Sequence, residues 1–232
     1  FGDSLIDNPE AINEMAQFST DTMLNAISDD LCELRVEFDN WFSEKSLFGS
    51  DEYTDTIGEL ESKSYLKEMD SALWFVSTML EEEKDNVIVK STGEPTYFAS
   101  DIAYHRNKFK TREFDQVIDI WGADHQGHIS RLKAAMRALD IDDSKLKILI
   151  SQMVTLKQGD EIVKASKRTG DFVTVKELVE EVGSDACRYF FLTRSASSQM
   201  EFDMELAKKT SNENPVYYIQ YAHARIKNIL AL

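Results

Sequence analysis

Apolar side chains recur every three or four residues from Pro9 to about Arg35, at Ile12, Met15, Phe18, Met23, Ile27, Leu31 and Leu34. This is the period of one helical face and predicts one or two helices, with Asn8 suited to the cap and Pro9 to the first turn. From Val36 to Phe42 the pattern changes to alternation, which predicts a strand that leaves Glu44 near its C-terminal end. Thr54 to Lys67 reads as a helix, and Ala72 to Thr78 and Val87 to Val89 read as short strands around the acidic turn Glu81-Glu82-Glu83.

Further on, helical spacing at Ser100 to Lys110, a β-branched run at Val117 to Trp121 and an amphipathic stretch at Gly127 to Leu139 follow one another. A strand, a glycine-containing turn and a helix in that order are the grammar of a parallel sheet, so the expected class is α/β. Lys147 to Thr155 supplies the next strand. Helices are expected from about Thr174 to Val182, from Ser184 to Thr193 and from Asn214 to Leu232, the last with Pro215 in its first turn. There is no internal repeat.

The apolar runs, Val117 to Trp121 and Lys147 to Leu156, are too short to cross a bilayer. With 42% hydrophobic residues and three prolines the chain reads as ordered and globular. It opens at Phe1 with no initiator methionine and no charged-then-apolar leader, and is expected to be a fragment. Cys32 and Cys187 stand far apart, outside any C-x-x-C spacing, and are expected to be buried reduced thiols. A formal charge of -16 argues against a protein that coats nucleic acid, because nonspecific affinity comes from neutralised phosphates. Positive residues nevertheless cluster at Arg106/Lys108/Lys110/Arg112, Arg131/Lys133/Arg137, Lys164/Lys167/Arg168 and Lys208/Lys209, which leaves local phosphate contacts open.

Three segments could carry chemistry. The loop Val163 to Asp171 holds Lys164, Lys167 and Arg168 after a strand, where an α/β fold can meet phosphates; a solvated turn is the plain alternative. Trp121-Gly122-Ala123-Asp124-His125-Gln126-Gly127-His128 lies at a strand-to-helix junction. There Gly122 permits close approach and Asp124 could cap a helix or accept a ligand hydroxyl or ammonium. His125 and His128 are three apart, but no third metal ligand is evident. In Tyr97-Phe98-Ala99-Ser100-Asp101, Asp101 falls in the first turn of a helix and Tyr97 just before it; both could face one crevice, or be a helix-dipole carboxylate and a core aromatic.

Lys164-Ala165-Ser166-Lys167-Arg168 resembles the KMSKS motif of class I aminoacyl-tRNA synthetases, with Ala165 in place of Met and Arg168 in place of the final Ser. The Gly122-Ala123-Asp124-His125 segment, the Tyr97 to His105 segment, Asp185 to Ser195 and Asn212 to Arg225 are similar, in the same order, to the bacterial arginyl-tRNA synthetases. The resemblance implies a Rossmann-like catalytic domain over residues 1–205, lacking the half that bears the HIGH motif, and the start of a helical anticodon-binding domain over 206–232. It implies ATP-dependent activation of L-arginine to an adenylate and transfer to tRNA(Arg) in the cytoplasm, with Mg on the ATP and no tightly bound metal in the chain. The fragment alone is expected to be inactive.

Carried over residue by residue, the resemblance implies that Glu44, Tyr97, Asp101 and Asp124 bind arginine. It likewise implies that Gly122, Asp124, His125, His128, Lys164, Ser166 and Lys167 line the ATP site, with Lys167 and Lys164 catalytic. The chemistry agrees, since a guanidinium is planar, always charged and rich in donors, and calls for fixed carboxylates and an aromatic face. The alternatives are a class I synthetase for another amino acid, in which the paired carboxylates would face a neutral substrate unpaired, and a noncatalytic RNA-binding paralogue. Tyr217, Tyr218 and Tyr221 fit either base stacking or interface packing.

Overall fold

The computed structural model describes residues 8–159, 161–162 and 173–232. They form two compact units. One is nearly continuous, residues 40–153 with 196–198; the other gathers the described residues of 8–39, 154–195 and 199–232. No helix among the described residues is long and apolar enough to cross a membrane.

In the nearly continuous unit, α2 (Lys45–Gly49) and α3 (Glu52–Ser62) precede an antiparallel sheet of β1 (Leu66–Met69), β2 (Ala72–Phe75) and β3 (Asn86–Val89), in the order β1-β2-β3. The β1–β2 hairpin turns on Asp70 and Ser71, both at positive φ (50° and 58°), the conformation of a tight primed turn. Next come α4 (Tyr97–Arg106), a π-helical turn (Asn107–Thr111) and β4 (Val117–Gly122). A 3₁₀ turn (Ala123–His128) leads into α5 (Ile129–Ala138) and β5 (Leu146–Ser151). β4 and β5 pair in parallel, Val117 opposite Leu146 through Gly122 opposite Ser151, as the strand-turn-helix-strand grammar predicts. The core is Leu60, Phe75, Ile88, Ile102, Leu132 and Leu146, all at most 1% exposed.

The other unit contains α1 (Pro9–Glu33), a three-stranded sheet and four helices. In the sheet β6 (Val154–Gln158) lies between β7 (Glu161–Ile162), antiparallel, and β8 (Met200–Asp203), parallel. The helices are α6 (Val175–Val182), α7 (Ser184–Leu192), α8 (Met204–Lys208) and α9 (Pro215–Leu230). Phe202 and Cys187, both fully buried, centre its core. α6 opens on a capping box in which Thr174 and Glu177 satisfy each other's backbone N–H groups.

Four expectations change. Residues 36–42 form no strand: Val36 N donates to Leu31 O and Arg35 N to Cys32 O, so the alternating stretch begins by closing the C-terminus of α1. Phe42 stacks on Tyr104 instead, with ring centroids 4.3 Å apart. The helix expected to run to Lys67 ends at Ser62 through the same backbone motif, with Ser64 at φ 64°, and its tail becomes β1. The strand expected from Lys147 to Thr155 is two strands, β5 and β6, one in each unit. Cys32, expected to be buried, is exposed, because no residue of α1 is buried.

Glu59 joins α3 to the end of α4 and to the π-helical turn that follows it. Its carboxylate accepts from Lys63, from Arg106 Nε at 3.1 Å and from Lys110. Burial pushes the Glu59 carboxyl up, but the hydrogen bonds from Lys110, Lys63 and Arg106 prevail and lower it from 4.5 to about 2. A depressed folded value means that this stabilisation is complete above pH 4.5 and is lost as the pH falls toward about 2. In urea titrations, the stability gap between the parent chain and Glu59→Gln is therefore expected to close over that interval. A gap independent of pH from 6 down to 2 would contradict it.

Candidate active site

A cavity of about 450 Å³ opens in the nearly continuous unit, lined by Tyr97, Asp101, Tyr104, His105, Lys108 and Asp119, together with Phe98, Trp121, His125, His128 and Arg131. α4 contributes Tyr97 as its first residue and Asp101 one turn on, so their side chains share a helical face. Tyr97 is 86% exposed, which rules out the core-aromatic reading. Asp101 lies beyond the first helical turn and is half-buried, so it is not a helix-dipole carboxylate.

Burial pushes the Asp101 carboxyl up, and the nearby Glu44 carboxylate adds to this, while His105, Arg131 and Lys108 oppose it. Glu44 itself is exposed and stands just ahead of α2, where its carbonyl accepts from Leu47 N at 3.0 Å; it is outside the cavity lining. A half-buried carboxylate with a second carboxylate nearby and an exposed tyrosine ring beside it would suit a planar organic cation.

The second wall comes from the end of β4 and the turn after it. Trp121, His125 and His128 form a run of edge-to-face rings, with centroids 6.4 Å and then 5.5 Å apart. Burial, with Arg131 and His125 close by, holds the His128 imidazole below its usual value. Asp124 is exposed, caps no helix and lies outside the lining. A β-carbon at Gly122 would come within 2.6 Å of the Asp124 carboxylate, so the close approach at this glycine is made by that side chain. Among the described residues no cluster of three His, Cys, Asp or Glu could hold a metal ion. Lys164, Ser166 and Lys167 lie outside the described residues.

Below these walls is a cluster that sequence reasoning missed. His105 Nδ1 lies 2.6 Å from the Asp101 carbonyl oxygen and Nε2 lies 2.6 Å from Asp119 Oδ2. Lys108 Nζ donates to Asp119 Oδ1 at 2.8 Å and sits 4.3 Å from the centre of the Tyr104 ring. Burial pushes the Asp119 carboxyl up, but the bonds from His105 and Lys108 outweigh it and hold the group below its usual range. The available signal was Asp119 itself, a lone carboxylate inside the apolar run Val117 to Trp121. Arg131 was read only as part of a basic cluster; its guanidinium lies over Phe98, 4.8 Å from the ring centre.

Residues 5–228 match the family described as tRNA synthetases class I (R), catalytic domain. The chain is 56% identical, over its whole length, to an arginine–tRNA ligase of Dehalococcoides mccartyi, and 52% identical, over 99% of its length, to one of Carboxydothermus hydrogenoformans. It spans 42% and 41% of the length of these curated relatives. A solved Campylobacter jejuni structure named as an arginyl-tRNA synthetase superimposes with a TM-score of 0.89 at 38% identity, covering all of this chain and 50% of that one. The Thermus thermophilus arginyl-tRNA synthetase shares the fold at 18% identity, with a TM-score of 0.66 over 98% of this chain and 50% of its own. The parallel β4–β5 pair, the cavity at its end and the match over nearly the whole sequence lead to one assignment: the chain belongs to the class I (R) tRNA synthetase catalytic-domain family.

Proposed function

We propose that this chain is part of an arginine–tRNA ligase, which activates L-arginine with ATP to arginyl-adenylate and transfers it to tRNA(Arg). The carrying observation is the side of the cavity where Asp101 lies half-buried, Glu44 stands near it and Tyr97 is exposed beside it. In this reading the arginine guanidinium meets Asp101 and Glu44 and lies against Tyr97. Gly122, Asp124, His125 and His128 belong to the ATP-facing edge, together with Lys164, Ser166 and Lys167. Mg²⁺ arrives on the ATP phosphates, and the catalytic work of the chain is orientation and charge stabilisation. Residues 1–205 are assigned to the catalytic domain and 206–232 to the start of the anticodon-binding domain, where Tyr218 and Tyr221 are exposed on α9. The ligase is placed in the cytoplasm.

The test is Asp101→Asn in the complete ligase. A charge-assisted hydrogen bond contributes roughly 1.5 to 3 kcal/mol, so KM for arginine is expected to rise about tenfold or more. Steady-state aminoacylation with arginine varied reads this out, and an unchanged KM removes Asp101 from the pocket.

A further inference from the structure

The cations around Asp101 are not equivalent. Arg131 (α5) lies over Phe98, and its Nη1 is 3.4 Å from Asn86 Oδ1. Lys108, in the π-helical turn, donates to Asp119 Oδ1 at 2.8 Å and lies farther, 3.4 Å, from His105 Nε2, which has its own shorter contact to Asp119 Oδ2 at 2.6 Å. His105 alone is bonded to the Asp101 residue itself, and it is bonded at both nitrogens. A carbonyl oxygen and a carboxylate oxygen are both acceptors, so a neutral ring would turn a lone pair toward an oxygen at 2.6 Å in a site where His105 is 3% and Asp119 8% exposed. A mismatch of that kind between largely buried groups is costly. The arrangement is satisfied when both nitrogens carry hydrogen.

With the ring doubly protonated, Asp119 offers one oxygen to each of two cations, and the cluster carries one surplus positive charge. We infer that His105 is a positioning residue: as an imidazolium it ties the Asp101 turn of α4 to β4 and turns its surplus charge on the Asp101 carboxylate, keeping it ionised for a cationic substrate group.

The other groups facing Asp101 are Glu44 ahead of α2, Arg131 on α5 and Lys108 in the π-helical turn; His125, His128 and Asp119 share the cavity. Glu44 and burial work against ionisation, and of the three opposing cations His105 has the largest influence. For the half-buried Asp101 carboxylate, a nearby cation is the counterweight to burial and to the Glu44 charge. The inference rests on Asp101 receiving the arginine side chain.

The experiment uses the complete ligase and the pH dependence of kcat/KM for arginine. His105→Asn places an uncharged amide near the position of Nδ1, and His105→Gln places one near that of Nε2, so each variant can keep one of the two bonds without the charge. The acid limb of the profile is expected to move up by about one pH unit, which is a tenfold higher KM at a fixed pH on that limb. The change should be carried by KM rather than kcat, and should fade toward alkaline pH. A limb that stays in place overturns the inference, and so does a rise in KM that is equal at every pH, the mark of a merely structural role.

If neither variant folds, ¹⁵N-histidine-labelled wild-type ligase decides at pH 7: one ring should show both nitrogens protonated, and a lone-pair nitrogen on every ring overturns it. Asp101→Asn separates the two levels. If it leaves KM for arginine unchanged, the pocket assignment falls and takes the inference with it. If it raises KM while the His105 variants leave the limb in place, only the inference falls.

Discussion

Lys167→Ala in the complete ligase is expected to slow single-turnover formation of the adenylate by about a hundred- to thousandfold, with the dissociation constants for ATP and arginine nearly unchanged. As the α-phosphorus becomes pentavalent, negative charge grows on its oxygens, and a cation that reaches them only then stabilises the transition state more than the bound substrates. Losing one such contact in a site that excludes water costs roughly 2.7 to 4 kcal/mol, which sets the factor. Lys167 sits in a segment bounded by Gly159 and Gly170, and Gly159 occupies the left-handed region at φ 61°, a backbone state that suits glycine. Such an effect lowers kcat and kcat/KM together. If the substitution weakens ATP binding and leaves the chemical step alone, Lys167 is a binding residue and the role given to the loop is wrong.

Asp119→Ala is expected to destabilise the cavity-bearing unit by about 3 to 5 kcal/mol at neutral pH, the range for removing one partner of a buried ion pair. The cost comes from what is left behind: a buried His105 and a nearly buried Lys108 lose their common acceptor. Asp119 is held below its usual 3.8 in the folded chain. Its contribution is therefore complete above pH 3.8 and is lost as the pH falls through the depressed folded value. All three tryptophans, Trp41, Trp74 and Trp121, lie in this unit, so urea unfolding of the chain followed by tryptophan fluorescence reads it directly. A loss below about 1 kcal/mol would show that the two cations find water or other acceptors once Asp119 is gone.

The contrast between Asp101 and Asp119 shows what the sequence made legible. Tyr97 and Asp101 are a helical turn apart, so local periodicity and the resemblance were enough to bring them to one crevice. Asp119 needed the register of β4. Alternation along Val117 to Ile120 is inverted: Val117 and Asp119 face inward, while Ile118 and Ile120 are 55% and 72% exposed. A pattern rule puts the isoleucines inside and so discards the one carboxylate that organises the site.

The end of α3, at Ser62 and not Lys67, was misjudged for a different reason. α1, α3 and α5 all close through the same backbone motif, with Arg35, Ser64 and Asp140 in the left-handed position at φ 56°, 64° and 56°. Glycine is the usual occupant there, and its absence hid the stop of α3, while the ends of α1 and α5 were read to within two residues. β8 was missed outright: Met200 to Asp203 is only four residues long and is recognisable as a strand only through its pairing with β6.

The division of the chain between its two units also bears on the order in which they can be made. A ribosome delivers residues from the N-terminus, and domains generally fold as units as they emerge. By the time Met153 is out, the cavity-bearing unit has all its helices, both its sheets and its buried ion cluster; only Ala196–Ser198, where Ala196 O accepts from Gln152 N at 2.8 Å, are still to be added. The other unit cannot close its sheet until β8 arrives to pair with β6. Until then β6 presents an unpaired edge, so nascent chains arrested between Gln158 and Met200 should be the ones most exposed to proteases and to strand-on-strand association.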